Sequence, residues 1–319
     1  MTEPAPMPSL QFGPRPRVLL TGGSGFIGRH AVTPLQAAGF DVHTLGRRPV
    51  AALGVTHHDA DLLDADAART VVEAVRATHL LHLAWYVEPG AYWRSPRNLD
   101  WVAATLGLVR AFALAGGRRI VAAGTCAEYQ WGGPVLDEAE TPCVPATLYG
   151  ACKDALRRML LPFAAETGLS AGWGRVFYLY GAGEAPGRLV GDAMATLRAG
   201  GVFATSHGRQ RRDFLHVSDV ASAFAALLAS PVTGAVNIGS GQAVAVRTVL
   251  EQVAHQVGGL ERIEFGARAL SAIEPDVIEA AIGRLREEVG FRPRHTLASG
   301  IAESAARPVR GSEPVPAQR

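Results

Sequence analysis

Long apolar runs, cysteines and an excess of one charge are all scarce in this 319-residue chain, and each scarcity removes a class of function. No stretch approaches the ~20 apolar residues of a membrane span, and the Pro-rich opening, Met1 to Pro16, lacks the apolar run of a secretion signal. The three cysteines, Cys126, Cys143 and Cys152, are too few and too irregularly spaced for a disulfide framework or a zinc site, so no metal is expected. Charged residues make up 19% and the formal net charge is +2, which offers nucleic acid no basic face. With 48% hydrophobic residues, the chain reads as a compact soluble protein of the reducing cytoplasm, without nucleic-acid or membrane partners. At this length one large domain or an unequal pair is expected.

From Arg17 onward, short aliphatic runs alternate with longer amphipathic ones, the rhythm of βαβ units around a parallel sheet. The pattern predicts strands at Arg17–Leu20, Asp41–Leu45, Val55–His58, His79–Ala84, Arg119–Ala123 and Ala171–Val176. Helices are predicted at Gly25–Ala38, Asp64–Ala77, Asn98–Ala115 and Leu148–Glu166. Right-handed connections of this kind build an α/β, doubly wound (Rossmann) sheet. The rhythm breaks at Gly181, Gly183, Pro186 and Gly187. Residues 17–180 are therefore assigned to a nucleotide-binding domain, with a return strand near 235–240, and residues 181–306 mostly to a smaller substrate domain. Met1–Pro16 and Arg307–Arg319, rich in Pro, are expected to be flexible tails.

Gly22, Gly23, Gly25 and Gly28 fall where the first strand turns into a helix, and they satisfy both the GxGxxG and GxxGxxG forms. Without Cβ atoms the backbone can approach a pyrophosphate, and the amides and dipole at the helix start, around Phe26 and Ile27, stabilise its charge. An acidic residue closing the second strand would mark NAD. Here Leu45-Gly46 is followed by Arg47 and Arg48, which can pair with a 2′-phosphate, so NADP is the expected cofactor; two solvated loop arginines are the alternative. Asp61, with Leu62, is a candidate for the adenine amino group, or part of a helix cap with Asp64. Leu83 and Ala84 close the fourth strand beside the cofactor, whereas His82 reads as a packed strand residue.

Tyr149 and Lys153 stand four positions apart on a predicted helix and so share one face. An ammonium there lowers the cost of forming phenolate, which makes the tyrosine a usable acid/base near neutral pH. A hydroxyl residue, Thr125, just past the end of the preceding predicted strand adds weight to this motif. Cys126 and Cys152, beside these residues, read as small buried apolar groups.

With these motifs in place the chain resembles the extended short-chain dehydrogenase/reductase family, the group of NAD(P)-dependent nucleotide-sugar epimerases, 4,6-dehydratases and 4-ketoreductases. The resemblance runs from Arg17 to about Ala305 and adds His82-Leu83-Ala84, Asn98, the stretch Arg212 to Val220, and Asn237 to Gly241. It implies that Tyr149 is the general acid/base and that Lys153 is its partner and a ligand of the nicotinamide ribose. It implies further that Thr125 bonds the reacting sugar oxygen and that Arg212 grips the substrate diphosphate, an ion pair with Asp213 or Asp219 being the other use of this arginine. Trp85, with Tyr86 and Trp93, falls where relatives line the substrate pocket; the same rings could simply pack the loop.

Two departures from the family pattern carry information. Cys126 and Ala127 occupy the positions of a dehydratase Asp-Glu pair, so dehydration is disfavoured. Tyr178 stands where epimerases often carry the Asn that touches the diphosphate. The expected activity is NADPH-dependent reduction of a nucleoside-diphosphate 4-keto-6-deoxy sugar, with 4-epimerisation as the alternative and a non-catalytic NADP-binding regulator as a third reading. The resemblance also implies a homodimer formed through the helices Asn98–Ala115 and Leu148–Glu166.

Overall fold

The computed structural model describes residues 15–133, 135–269 and 275–306; of the expected tails, 1–16 and 307–319, all but Arg15 and Pro16 lie outside the described residues. The βαβ rhythm becomes β1 (Arg17–Thr21), α1 (Gly28–Ala37), β2 (Asp41–Leu45), β3 (Val55–His58), α2 (Ala65–Val75), β4 (His79–His82), α3 (Arg97–Leu114), β5 (Arg119–Thr125), α4 (Leu148–Thr167) and β6 (Ser170–Val176). There follow β7 (Tyr178–Tyr180), α5 (Leu189–Arg198), β8 (Phe203–Thr205), β9 (Arg211–His216), α6 (Val217–Ala229) and β10 (Gly234–Ile238). The last elements are β11 (Ala243–Ala245), α7 (Val246–Val257), β12 (Ile263–Phe265), β13 (Val277–Ile278) and α8 (Leu297–Ala306). No described helix is long and apolar enough to cross a membrane.

Seven strands form one parallel sheet in the order β10-β6-β5-β4-β1-β2-β3, the doubly wound arrangement. Successive residues of β1 point to opposite faces, so a run buried on both sides must be apolar throughout. Val18 and Leu20 enter a core shared with Ala31, Val32 and Leu35 of α1. Leu19 enters the other, with Val72 of α2, Phe112 of α3 and Leu156 of α4. Helix α6, in the stretch assigned mostly to the substrate domain, instead covers this sheet beside α1: Val220, Ala221, Phe224 and Leu228 are all buried. Its near-continuous apolar sequence fits a helix enclosed on most sides. The return strand is β10, parallel to β6 at the sheet edge.

The remaining elements form the smaller half, with β7, β9, β11 and β13 in one sheet and β8 paired to β12. Helix α8 is tied to the larger half through His295, whose ring nitrogens lie 3.0 Å from Asp219 Oδ2 and 2.9 Å from Glu303 Oε2. Burial works against a charge on this ring, but the bonds to Glu303 and Asp219 outweigh it and raise its pKa above the ordinary value. A raised folded-state pKa stabilises the fold fully below the unfolded value of ~6.5 and is lost as pH rises through the folded value. The melting-temperature advantage of wild type over His295→Ala is therefore expected to shrink as pH is raised through that range; an advantage independent of pH would contradict the charged pairing.

Candidate active site

The loop between β1 and α1 is shaped by two glycines. Gly22 has φ +70°, and a Cβ there would lie 2.7 Å from the Ala84 nitrogen; at Gly28 a Cβ would overlap the Gly22 carbonyl. Helix α1 starts at Gly28 and not at the expected Gly25, leaving Gly25, Phe26 and Ile27 as the turn. The helix has no side-chain cap, so its dipole is open to an anion although the Arg29 and His30 amides bond the carbonyls of Gly25 and Ile27, and a cradle that a Cβ would fill fits a bound pyrophosphate. Leu83 and Ala84 donate their backbone amides to Thr21, to its carbonyl at 3.2 Å and its hydroxyl at 3.4 Å, which fixes the floor of the cleft. His82 is buried between the hydroxyls of Thr21 and Thr105, 2.8 and 3.0 Å away. Burial, then Lys153, drives its pKa down to about 3, so it is a neutral structural ring.

Around the adenosine end, Asp64 caps α2, accepting from the amides of Asp66 and Ala67. Asp61 bonds the Leu63 amide at 3.0 Å and pairs with Arg47 at 3.7 Å, while Leu62 packs into the core below. Arg47 is 72% exposed, so this ion pair is weak and the guanidinium is free to exchange it for a phosphate.

Thr125 is the last residue of β5, and Tyr149 and Lys153 lie in the first two turns of α4, which Thr147 caps by accepting from the Gly150 amide. All three side chains are buried, and the Thr125 hydroxyl lies close enough to the Tyr149 phenol to favour its ionised form. Lys153 Nζ donates to the Ala123 carbonyl at 2.8 Å and lies 3.7 Å from the centre of the Trp85 ring. The electrostatics differ from the expectation that Lys153 lowers the phenol. Burial, joined by Tyr92 and opposed by Thr125, pushes Tyr149 well above its ordinary value, and burial draws Lys153 down to about 7 against the pull of Glu128. Both groups are therefore held toward their neutral forms, because a dry pocket penalises either charge.

An aromatic wall encloses the pair. Tyr92 and Trp93 stack on each other at 4.5 Å, and both meet the Tyr149 ring edge-on, at 4.9 and 5.7 Å. The Tyr149 amide donates to the Trp93 carbonyl at 3.1 Å. Tyr86 turns away to Glu88, with Arg97 over its ring. Of the candidate substrate residues, Arg212 and Tyr178 lie near each other, with the guanidinium carbon 5.7 Å from the phenol ring. Arg212 is 1% exposed and donates to the Arg211 carbonyl at 2.8 Å. Asp213 and Asp219, its suggested ion-pair partners, are engaged elsewhere: Asp213 holds the Ser240–Gly241 turn and Asp219 holds His295.

A model of the NAD-dependent epimerase/dehydratase family matches residues 18–239. The chain belongs to this family. It is an oxidoreductase-type enzyme of the extended short-chain dehydrogenase/reductase group. It is 29% identical to a UDP-glucose 4-epimerase of Azospirillum brasilense, with 92% of both chains covered. It is 28% identical to a dTDP-6-deoxy-L-talose 4-dehydrogenase (NAD(+)) of Aggregatibacter actinomycetemcomitans, over 74% of this chain and 88% of that one. The solved UDP-glucose 4-epimerase of Thermus thermophilus, in complex with NAD, superposes with a TM-score of 0.81 at 26% identity, covering 91% of this chain and 98% of that one.

Three features of this family member escaped the sequence reading. Glu128, one turn beyond Thr125, is fully buried: its carboxylate accepts from the Thr125 amide at 2.8 Å, the Trp173 indole at 2.9 Å and Arg175 Nε at 2.8 Å. Arg175 in turn donates to the Tyr129 hydroxyl, which donates to Asn237, both at 2.8 Å. A cavity of about 420 Å³ opens between α5 and β8, lined by Arg188, Asp192, Phe203, Thr205 and Arg268, and the Arg188 guanidinium sits 5.6 Å from the Tyr92 ring centre. The third feature was legible by counting: of 31 basic side chains 30 are Arg, and Lys153 is the one lysine.

Proposed function

We propose that this chain is a nucleotide-sugar 4-epimerase, acting on a nucleoside-diphosphate hexose such as UDP-glucose. The observation that carries the reading is the enclosed Thr125–Tyr149 hydroxyl pair with Lys153 beside it and Cys126 and Ala127 next in the chain. Epimerisation asks for one acid/base that can release and return a proton at the same oxygen, whereas dehydration needs a further acid and base that those two positions do not supply. The full-length likeness to a UDP-glucose 4-epimerase supports this over the reductive reading.

A nicotinamide dinucleotide, when bound along the Gly22–Gly28 loop, supplies the hydride acceptor and, in its oxidised form, a positive charge that favours phenolate. Tyr149 then takes the proton of the C4 hydroxyl and later returns it. Thr125 holds that oxygen by hydrogen bonding, and Lys153 stabilises the phenolate and takes the ribose hydroxyls. Arg212 with Tyr178, and the cavity beside Arg188 and Arg268, are suited to the diphosphate and its nucleoside. Exposed Leu99 and Leu114 on α3 and Met159 on α4 support pairing of two copies along these helices. Incubation with UDP-glucose should yield its C4 epimer with no net change in reduced cofactor; oxidation of one NADPH per 4-keto sugar, with no epimer formed from UDP-glucose, would establish the reductase instead.

One observation favours that reductive reading: Arg47 and Arg48, with no carboxylate closing β2, suit NADP, although the Thermus relative was solved with NAD. Changing both arginines to Ala is expected to weaken NADPH by roughly ten- to a hundredfold, the worth of one charge-assisted contact, with little change for NADH. Equal losses for both in a binding titration would remove the phosphate role and leave NAD as the cofactor.

A further inference from the structure

Lys153 is 2% exposed and burial draws it toward its neutral form, so its ammonium, with three N–H donors, needs more than the one carbonyl of Ala123 to offset its lost water. The face of Trp85, its centre 3.7 Å from Nζ, is placed to make up the difference. That ring is locked: its Nε1 donates to Asn98 Oδ1 at 2.8 Å. Asn98 is itself 0% exposed, and its amide donates to the carbonyls of Tyr92 at 2.7 Å and Ser95 at 2.8 Å. One asparagine thus ties together the ring under Lys153 and the loop that walls Tyr149.

We infer that Trp85 is a positioning residue for Lys153, holding the ammonium in the catalytic pocket through its ring face, with Asn98 fixing the ring. The inference rests on the Tyr149–Lys153 reading above and changes the expected work of Trp85: the ring face given to the ammonium is withdrawn from stacking on a sugar. The other titratable groups acting on Lys153 are Glu128 from the turn after β5 and His82 at the end of β4, held neutral by burial, while Tyr149 shares its helix. Of these, Glu128 alone stabilises the ammonium, so removing the ring should let burial lower the Lys153 pKa further.

Because Lys153 is the one lysine, protein grown on [¹³C]lysine has a single lysine side-chain spin system. Its εCH₂ protons should lie upfield of free lysine, displaced by the indole ring current. In Trp85→Leu they should return to the free position and the Lys153 pKa should fall by about one unit, the size of a desolvated cation–π contact. The kcat should drop by about tenfold with KM nearly unchanged, and Trp85→Phe, which keeps a π face, should recover most of both effects. A wild-type signal at the free-lysine position, or a Trp85→Leu variant with unchanged shift and pKa, would overturn the inference. Should Trp85→Leu fail to fold, the wild-type and Trp85→Phe spectra decide. These spectra are taken without substrate, so a protein inactive on every nucleotide sugar would count against the catalytic reading and leave this test standing.

Discussion

Replacing Tyr149 by Phe should leave a folded protein that binds its cofactor and turns over about 100-fold more slowly or worse, the loss expected when a positioned acid/base is removed. The fold is expected to survive because Tyr149 is held by its ring, edge-on to Tyr92 and Trp93, and by its backbone amide, all of which Phe retains. What disappears is the one oxygen that meets Thr125 inside the pocket. Thr125→Ala should cost less, since the phenol would still reach the sugar oxygen. Steady-state kinetics paired with a cofactor titration separates the two effects. A Phe variant turning over near the parent rate would show that another group moves the proton.

Glu128→Gln should cost about 3 to 5 kcal/mol of stability, read as a loss in denaturant midpoint, because it leaves a buried guanidinium without its counter-charge. Glu128 is 0% and Arg175 1% exposed, and their contact is 2.8 Å, so water cannot stand in for either partner. Removing both charges, as in Glu128→Gln with Arg175→Met, should recover a good part of that loss, since a hydrophobic replacement is often tolerated where a broken pair is not. A loss below about 1 kcal/mol in the single variant would mean that the pair is screened after all.

The parallel sheet was legible where strands buried on both faces read as short apolar runs, as in β1, and from the regular alternation of strand and helix, by which the more polar β2 and β3 also fall at the expected residues. The Gly22–Gly28 turn and the Tyr149–Lys153 spacing were legible for a similar reason, since each motif is local and each local geometry has few solutions. The smaller half was harder to read. Strands such as β11 and β13, of three and two residues, exist through their pairing with β9 and carry no periodicity of their own. Helix α6 follows a break that suggested a new domain, yet packs on α1 far back in the chain. Glu128 drew no reading of its own because its partner, Arg175, is 47 residues away. The same distance effect hid the pocket's electrostatics: spacing on a helix says that Tyr149 and Lys153 are neighbours, while burial, set by the whole fold, decides the direction in which each pKa moves.

The fate of hydrogen at C4 tests the catalytic assignment most directly. UDP-glucose deuterated at that carbon should be converted to its C4 epimer with the deuterium retained at C4 and with no stoichiometric change in reduced cofactor, as seen by NMR and by absorbance of the nicotinamide. Hydride would then have left and returned within one active site, with Tyr149 handling the proton. Absence of the epimer, together with consumption of one NADPH per molecule of a nucleotide-linked 4-keto sugar, would contradict it.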